Sequence, residues 1–436
     1  MKRHLFLSFL VLLIVAACSV DPKPELGEND EKYLSFYEGL IIDGSIVTKD
    51  SLLNIHLPLV VINTKDGEMP SFEKVQTPEG CWGNGIKNAK LIPGRMVFVD
   101  KGKVLFDSEA DSIKIKVRGN TTAYEEKKPY KIKLSSPKDL LFRGDEKRFA
   151  DKDWCLIKDE ALLAKIGFYL GELLSMEWTP GYRYINLVLN NCYLGPYMLI
   201  ESVDKNETCR LNVDDSGGVL EYDAYWWNED YYIESPLLPY PLNYTFKYPN
   251  SDKLKEGDKQ YFTTLINSFE ESLYDGTWPE VIEAESFVNW ILCHDILGTG
   301  DSGGTNMFLL KYDRSESTKI KMPVLWDFGK ALFMKNQWSE SHGSGCFVYG
   351  PLFQDSVFIS LYKNRWSSLH EEVIKKMCDF LDGYKGSEEI IAYETSVLLN
   401  NMIWNTSTTR PTLLVDDYVE WFKNREIWLM ESIDKI

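Results

Sequence analysis

Three polar residues set the question. In GDSGGTNMFLLKYD (300–313), Asp301 stands five positions before Asn306, and a short apolar run follows. Further on, KMPVLWDFGKAL (321–332) carries Asp327 in an Asp-Phe-Gly. A carboxylate on a loop can accept the proton of an attacking hydroxyl. An Asn on the same loop and a second Asp offer hard oxygen ligands to a divalent cation such as Mg2+. Groups so spaced suit phosphoryl transfer, in which a metal and a basic side chain offset the charge that develops on the transferred group. The competing reading is a polar turn ahead of a β-hairpin.

Asp-x4-Asn is also the spacing of the protein-kinase catalytic loop, and Asp327 stands where such an enzyme places its metal-binding Asp. No His-Arg-Asp is present, since Gly298, Thr299 and Gly300 precede Asp301, and there is no Walker A motif. The phosphate side has a candidate in KVRGNTTAYEEKKPYKIKL (116–134): a strand, a polar turn at Gly119, and a second strand carrying lysines. Arg118, Asn120 and Thr121 offer side chains and backbone N–H groups to phosphate, and Lys131 or Lys133 could reach the α- and β-phosphates. A solvated lysine face on a hairpin is the plain alternative.

Periodicity supplies the elements that would hold these residues. Ile113, Ile115 and Val117 alternate with Lys114 and Lys116, and Tyr130, Ile132 and Leu134 alternate with Lys131 and Lys133, which predicts two half-buried strands. Strands are also expected at 55–64, 95–106, twice within 182–204 about an Asn190-Asn191 turn, and at 217–223. Leu162, Leu163, Ile166, Leu170 and Leu174 predict a helix over 159–174. From about residue 257 the pattern turns helical, with helices expected around 261–273, 287–297, 355–383, 387–405 and 415–433. The Gly-rich loop and two short strands interrupt them. The expected fold is α+β, with a β-rich N-terminal lobe at 51–205, a helix-rich C-terminal lobe at 206–436, and a cleft between them.

At this point the chain resembles the spore-coat protein H (CotH) kinase family. The resemblance rests on RGNTTAYEEKKPYKIKL, YINLVLNNCYLGPYMLIESVD, GGVLEYD, GDSGGTNMFLLKYD, KMPVLWDFGKAL and RWSSLH, in that order over roughly residues 55–370. It implies an atypical two-lobed kinase fold that uses ATP with Mg2+ (or Mn2+) to phosphorylate Ser on proteins. By position it implies Asp301 as the catalytic Asp and Asp327 as the metal ligand, with Asn306 assisting. The same carry-over makes Lys133 the phosphate-binding lysine, with Lys131 its rival. Glu201, after YMLI, falls where it could border the adenine or form a structural salt bridge. The chain departs from the family at two places. Gly329 stands where many members have a second Asp after the Phe, and Ala164-Lys165 replace an Arg-Asn pair on the 159–174 helix. Both departures keep a degenerate pseudokinase, used for binding or assembly, as the alternative.

The leader MKRHLFLSFLVLLIVAACS has two basic residues, an apolar run from Leu5 to Val15, and Ala16-Ala17 before Cys18. That is a secretory signal over 1–17, and its VAAC ending resembles a bacterial lipobox with Cys18 as the lipidated residue. Residues 18–50 then read as anchor and tether, placing the protein in the cell envelope, on a membrane through lipid rather than across it. A net charge of −18 argues against a nucleic-acid partner, which needs a basic surface, and for an exported chain the family resemblance implies a secreted or surface protein as substrate. The eight cysteines contain no CxxC and no clustered zinc ligands. Among other candidates, His294-Asp295 reads as a core or capping pair, and His342 lies in a Ser- and Gly-rich loop. An aromatic patch with Tyr222, Tyr225, Trp226, Trp227, Tyr231 and Tyr232 could bind sugar rings or a peptide, a third reading as a glycan-binding surface lipoprotein, with packing under a long loop as the plain alternative.

Overall fold

The computed structural model describes residues 42, 47–81, 83–238, 242–300, 306–332 and 348–436. The leader, Cys18, Asp301, His342 and Cys346 lie outside them. Helix α1 (Lys49–Leu53) leads into β1 (Leu59–Thr64), and β2 (Glu73–Val75) and β3 (Gly85–Lys87) form a separate hairpin. There follow β4 (Ile92–Asp100), β5 (Lys103–Asp107), β6 (Ile113–Val117), β7 (Tyr130–Lys138), α2 (Glu146–Phe149), β8 (Asp151–Ile157), α3 (Leu163–Leu173), β9 (Tyr182–Leu189) and β10 (Cys192–Glu201).

These strands close on themselves. Their order is β1-β9-β10-β8-β7-β6-β4, and β4 returns to pair with β1 from Leu59↔Val99 to Thr64↔Gly94, leaving β5 as a flap on β4. Closure needs Gly94, where a Cβ would lie 2.7 Å from the Asn63 carbonyl oxygen. The alternation read in the sequence is the inside–outside alternation of a barrel. Val60, Ile62, Phe98, Ile115, Ile132, Trp154, Leu187 and Leu199 fill the interior. The outer wall divides by chemistry. On β1, β4, β9 and β10 it is apolar (Val61, Val99, Val188, Ile200) and buried under the helical half, whereas on β6 and β7 it carries Lys114, Lys116, Lys131 and Lys133. The β9–β10 turn is tight, with Asn190 and Asn191 both at positive φ, 48° and 65°, the conformation this pair tolerates best.

The second half opens with β11 (Gly218–Asp223), β12 (Ile233–Glu234) and β13 (Asn243–Tyr248), continues through α4 (Glu256–Asp275), α5 (Trp278–Val281) and α6 (Ala284–Leu297), and reaches β14 (Met307–Lys311). A four-stranded antiparallel sheet, β12-β13-β11-β14, forms here. Then come α7 (Tyr349–Leu352), α8 (Ser356–Lys385), α9 (Glu388–Trp404) and α10 (Pro411–Ile433). The second short strand expected over 322–328 is not a strand. Lys321 alone bridges to Leu310, because Pro323 has no N–H to give and Asp327 turns the chain at φ 60°.

The fold is thus α+β as expected, but the β-rich half is a closed barrel. One buried apolar cluster joins its outer wall (Val61, Val99, Met198) to α3 (Ile166, Leu170), α6 (Trp290, Ile291) and α8 (Tyr362, Trp366). The two halves therefore share a core instead of forming separate hydrophobic units. Among the described residues no helix is long and apolar enough to cross a membrane.

Candidate functional site

The site begins where three barrel strands end together. Val117, Tyr130 and Leu156 pair side by side on β6, β7 and β8 and point inward, so the next positions on the outer face are Arg118 and Ile157. The Arg118 N–H donates to the Pro129 carbonyl at 3.1 Å, holding this corner together. The chain turns away at Gly119, which has φ 82° and where a Cβ would meet Thr122 Oγ1 at 2.4 Å. Asn120 lies in that turn beside Arg118, its carbonyl accepting from the Ala123 N–H at 3.1 Å. On the third strand, Ile157 leads through Lys158 to Asp159, whose carboxylate accepts from the Ala164 and Lys165 N–H groups at 2.8 and 3.3 Å and starts α3. The helix expected from residue 159 accordingly begins later, because Leu162 takes φ 61° to complete this turn.

The Asp-Phe-Gly segment is seated on that helix. Phe328 is buried edge-on against Phe168, with ring centroids 5.2 Å apart, and lies against Gly167. Trp326 is buried beside Phe168, and the Arg118 guanidinium sits 5.8 Å from its ring centroid, within cation–π range. With both aromatic neighbours anchored, Asp327 between them is exposed at φ 60°, an uncommon conformation for a residue other than Gly. Its carboxylate accepts the Gly329 N–H at 3.1 Å. The far side of the segment is tied to the end of α6: the Leu332 N–H donates to the Leu297 carbonyl, and the Gly300 N–H donates to the Lys330 carbonyl at 2.9 Å. Gly300 is therefore held directly beside Lys330. Asn306, half-buried at φ 62°, is where the chain emerges into β14.

Lys158 is the barrel-end amine on which the charge of Asp327 acts. Burial pulls the Lys158 amine below its ordinary value, against the opposing pull of Glu160 and of Asp327. Lys158 also forms an ion pair with Glu125, from the turn after Gly119. Glu160 is held in turn by Lys127, whose amine spends its protons on Glu160 Oε1, the Pro196 carbonyl and Asn400 Oδ1 at 2.6, 2.6 and 2.7 Å. Burial lowers the Lys127 pKa as well.

The residues expected from the sequence fall into two groups. Arg118, Asn120 and Asp327 belong to this corner, and Asn306 stands at the start of β14, while Asp301 lies outside the described residues. Lys131 and Lys133 share the outer wall of β7, but Lys131 is ion-paired to Asp153 at 2.9 Å and Lys133 is exposed. Beside Lys131, Lys116 is lowered by burial and by the like charge of Lys131. Glu201 is 1% exposed and has both oxygens engaged, by Arg143 at 2.8 Å and by the Gly181 N–H at 2.8 Å, so it is a structural salt bridge. Lys165, in place of the family's Arg-Asn pair, sits among the rings of Tyr182, Tyr184 and Tyr384 with Glu389 3.4 Å away, turned from Asp327. His294 is a core residue, with Nδ1 3.1 Å from Thr299 Oγ1 and burial pushing its pKa down to about 3. The aromatic patch is largely structural: Trp227 covers Gly85 of β3 and Tyr225 hydrogen-bonds Thr121 at 2.7 Å. Sequence reasoning missed Lys158. It sits between a strand pattern and a helix pattern, and neither periodicity marks it.

Among the described residues no three carboxylate, imidazole or thiolate groups form a metal cage. A single exposed carboxylate on a fixed backbone, with basic side chains nearby, suits Mg2+, which keeps waters and completes its shell with phosphate oxygens. The residues present fit a metal–triphosphate.

The family model described as CotH kinase protein matches residues 115–429. The chain belongs to the CotH kinase protein family. The match runs from β6 to α10 and so includes Arg118, Lys158, Asn306 and Asp327. No curated protein matches this CotH family chain. Among solved structures it is similar to the Helicobacter pylori proinflammatory kinase CtkA, at 10% identity and a TM-score of 0.26, covering 70% of this chain and 92% of that one.

Proposed function

We propose that the chain is an exported, lipid-anchored protein kinase that transfers the ATP γ-phosphoryl group to Ser of a secreted or surface protein. In this reading residues 1–17 are removed, Cys18 carries the lipid, and the body works in the cell envelope. The barrel serves as the N-terminal lobe of an atypical kinase and the helical half as the C-terminal lobe. The observation that carries the reading is Asp327, exposed on a backbone anchored by Trp326 and Phe328, with Arg118 over the Trp326 ring and the segment after it bonded to Gly300 at the end of α6.

Asp327, with Asn306, would hold Mg2+ or Mn2+, which when bound supplies positive charge to the β- and γ-phosphates. Arg118 and the Asn120 turn would orient the triphosphate. Asp301 would accept the Ser proton as its Oγ bonds to the γ-phosphorus. The bond from that phosphorus to the β–γ bridging oxygen breaks, and ADP leaves. The test is phosphoryl transfer from labelled Mg-ATP to envelope protein by purified protein, with Asp301→Ala as control. Labelled phosphoserine from the parent alone is expected. No transfer by the parent, or equal transfer by the variant, refutes the enzyme reading.

A second reading, a degenerate family member kept for binding, is favoured by Gly329 in place of an acid and by the tyrosine-caged Lys165. It expects nucleotide or partner binding without transfer.

A further inference from the structure

Lys158 follows the end of β8 at the barrel corner that carries Arg118, and its ion-pair partner is a surface carboxylate. Its neighbours Asp159 and Glu160 are committed: Asp159 to the start of α3 and the Tyr184 hydroxyl at 2.6 Å, Glu160 to Lys127. Lys158 itself leaves the strand ends at the corner shared with Arg118, with its side chain 19% exposed. Its ion-pair partner is Glu125, which is 52% exposed and belongs to the turn between β6 and β7. The other lysines near the site are placed differently. Lys131 is engaged with Asp153, Lys133 points to solvent, and Lys127 has no proton left to give. Lys158 is thus a half-buried amine within electrostatic reach of Asp327, held by a surface carboxylate that an anionic ligand can replace.

We infer that Lys158 is the phosphate-binding lysine of this chain, and that Glu125 occupies it until the nucleotide arrives. This rests on the kinase reading above and assigns the lysine that reading needs. A triphosphate brings oxygens with more charge than one carboxylate, and a partly desolvated amine gains more from that charge than a solvated one.

The test is calorimetric titration of the full-length mature protein with Mg-ATP, with inorganic triphosphate as the adenine-free probe. Lys158→Met is expected to weaken both ligands at least tenfold, and Lys158→Arg to restore most of the loss. Lys133→Met should shift affinity less than twofold. Glu125→Gln, which removes the competing carboxylate at the surface, is expected to tighten both ligands several-fold. A residue that only supported the fold would lower Tm without this opposition of sign between Lys158→Met and Glu125→Gln. Parent binding that is unchanged in Lys158→Met, or unchanged in Glu125→Gln, overturns the inference and leaves the kinase reading standing. A parent that binds neither probe overturns both.

Discussion

Gly167 is the position at which the geometry of Asp327 can be disturbed without touching a polar group. It lies within α3, and a Cβ there would come 2.3, 2.4 and 2.5 Å from three carbons of the Phe328 ring. Carbon atoms in contact prefer about 3.5–4.0 Å, so the ring must move by roughly an ångström. The ring is 2% exposed and rests on Phe168, so no empty space receives it. Overpacking of this kind costs about 1–3 kcal/mol, and replacing a helical Gly returns about 1 kcal/mol, which leaves a net loss of roughly 0–2 kcal/mol. The function should suffer more than the stability. Asp327 is the next residue, and a displacement of about 1 Å at a reacting centre costs on the order of a hundredfold in rate. Gly167→Ala is therefore expected to lower Tm by only a few degrees while Mg-ATP affinity or transfer falls by tenfold or more. Adding Phe328→Leu, which shortens the obstructing side chain, should recover part of the loss. Calorimetry and thermal melts on the three variants decide it. A Gly167→Ala protein that is more stable than the parent and binds Mg-ATP equally would refute the claim that Phe328 is wedged on α3 and sets Asp327.

Three further outcomes follow from buried groups. Lys127→Met leaves Glu160 and Asn400 without their shared partner and should cost about 3–5 kcal/mol, read as a lower denaturation midpoint. Asp159 has its pKa pushed up to about 7, chiefly by burial, so between pH 4 and 7 the folded state holds a proton that the unfolded chain has lost. Its contribution therefore falls as pH rises through that window, and Asp159→Asn should remove the slope in denaturation curves taken across it. His294 runs the other way: held at about 3 in the fold against 6.5, it makes stability fall as pH drops from 6.5. The loss is up to about 1.4 kcal/mol per pH unit. His294→Gln should flatten that acid limb, and a variant curve parallel to the parent's would contradict the assignment.

How much was legible follows from the range of each signal. Short-range alternation gave β6, β7 and the β9–β10 hairpin, because burial on one side imprints a period of two on residues such as Ile113, Ile115 and Val117. Apolar helical spacing gave α3, α4, α6, α8, α9 and α10 to within about five residues, while the short α5 and α7 gave no signal. Barrel closure was not legible, since the β1–β4 pairing depends on Gly94 accepting a neighbouring backbone, and nothing local in the sequence distinguishes that Gly. The second sheet was half seen: β11 showed as a strand, whereas β13 gave no signal. At the candidate site, the Asp301-to-Asn306 spacing and Asp327 drew attention to the segment after α6, and the turn at Gly119 to the corner that carries Arg118. Lysine identity was not legible, because alternation puts Lys131 and Lys133 on one face and says nothing of Asp153 beside one of them. Glu201 was read as open between adenine and a salt bridge, and only the positions of Arg143 and Gly181 decide it.

The central claim is that Asp327 and the cations of the barrel's end hold a metal–triphosphate together. It is tested most directly by titrating ATP into the parent and into Asp327→Asn, each with Mg2+ and with chelator. The account predicts binding by the parent that depends on the metal and is lost, with the metal dependence, in Asp327→Asn. Metal-dependent binding of equal strength in the two proteins, or none in the parent, would contradict it.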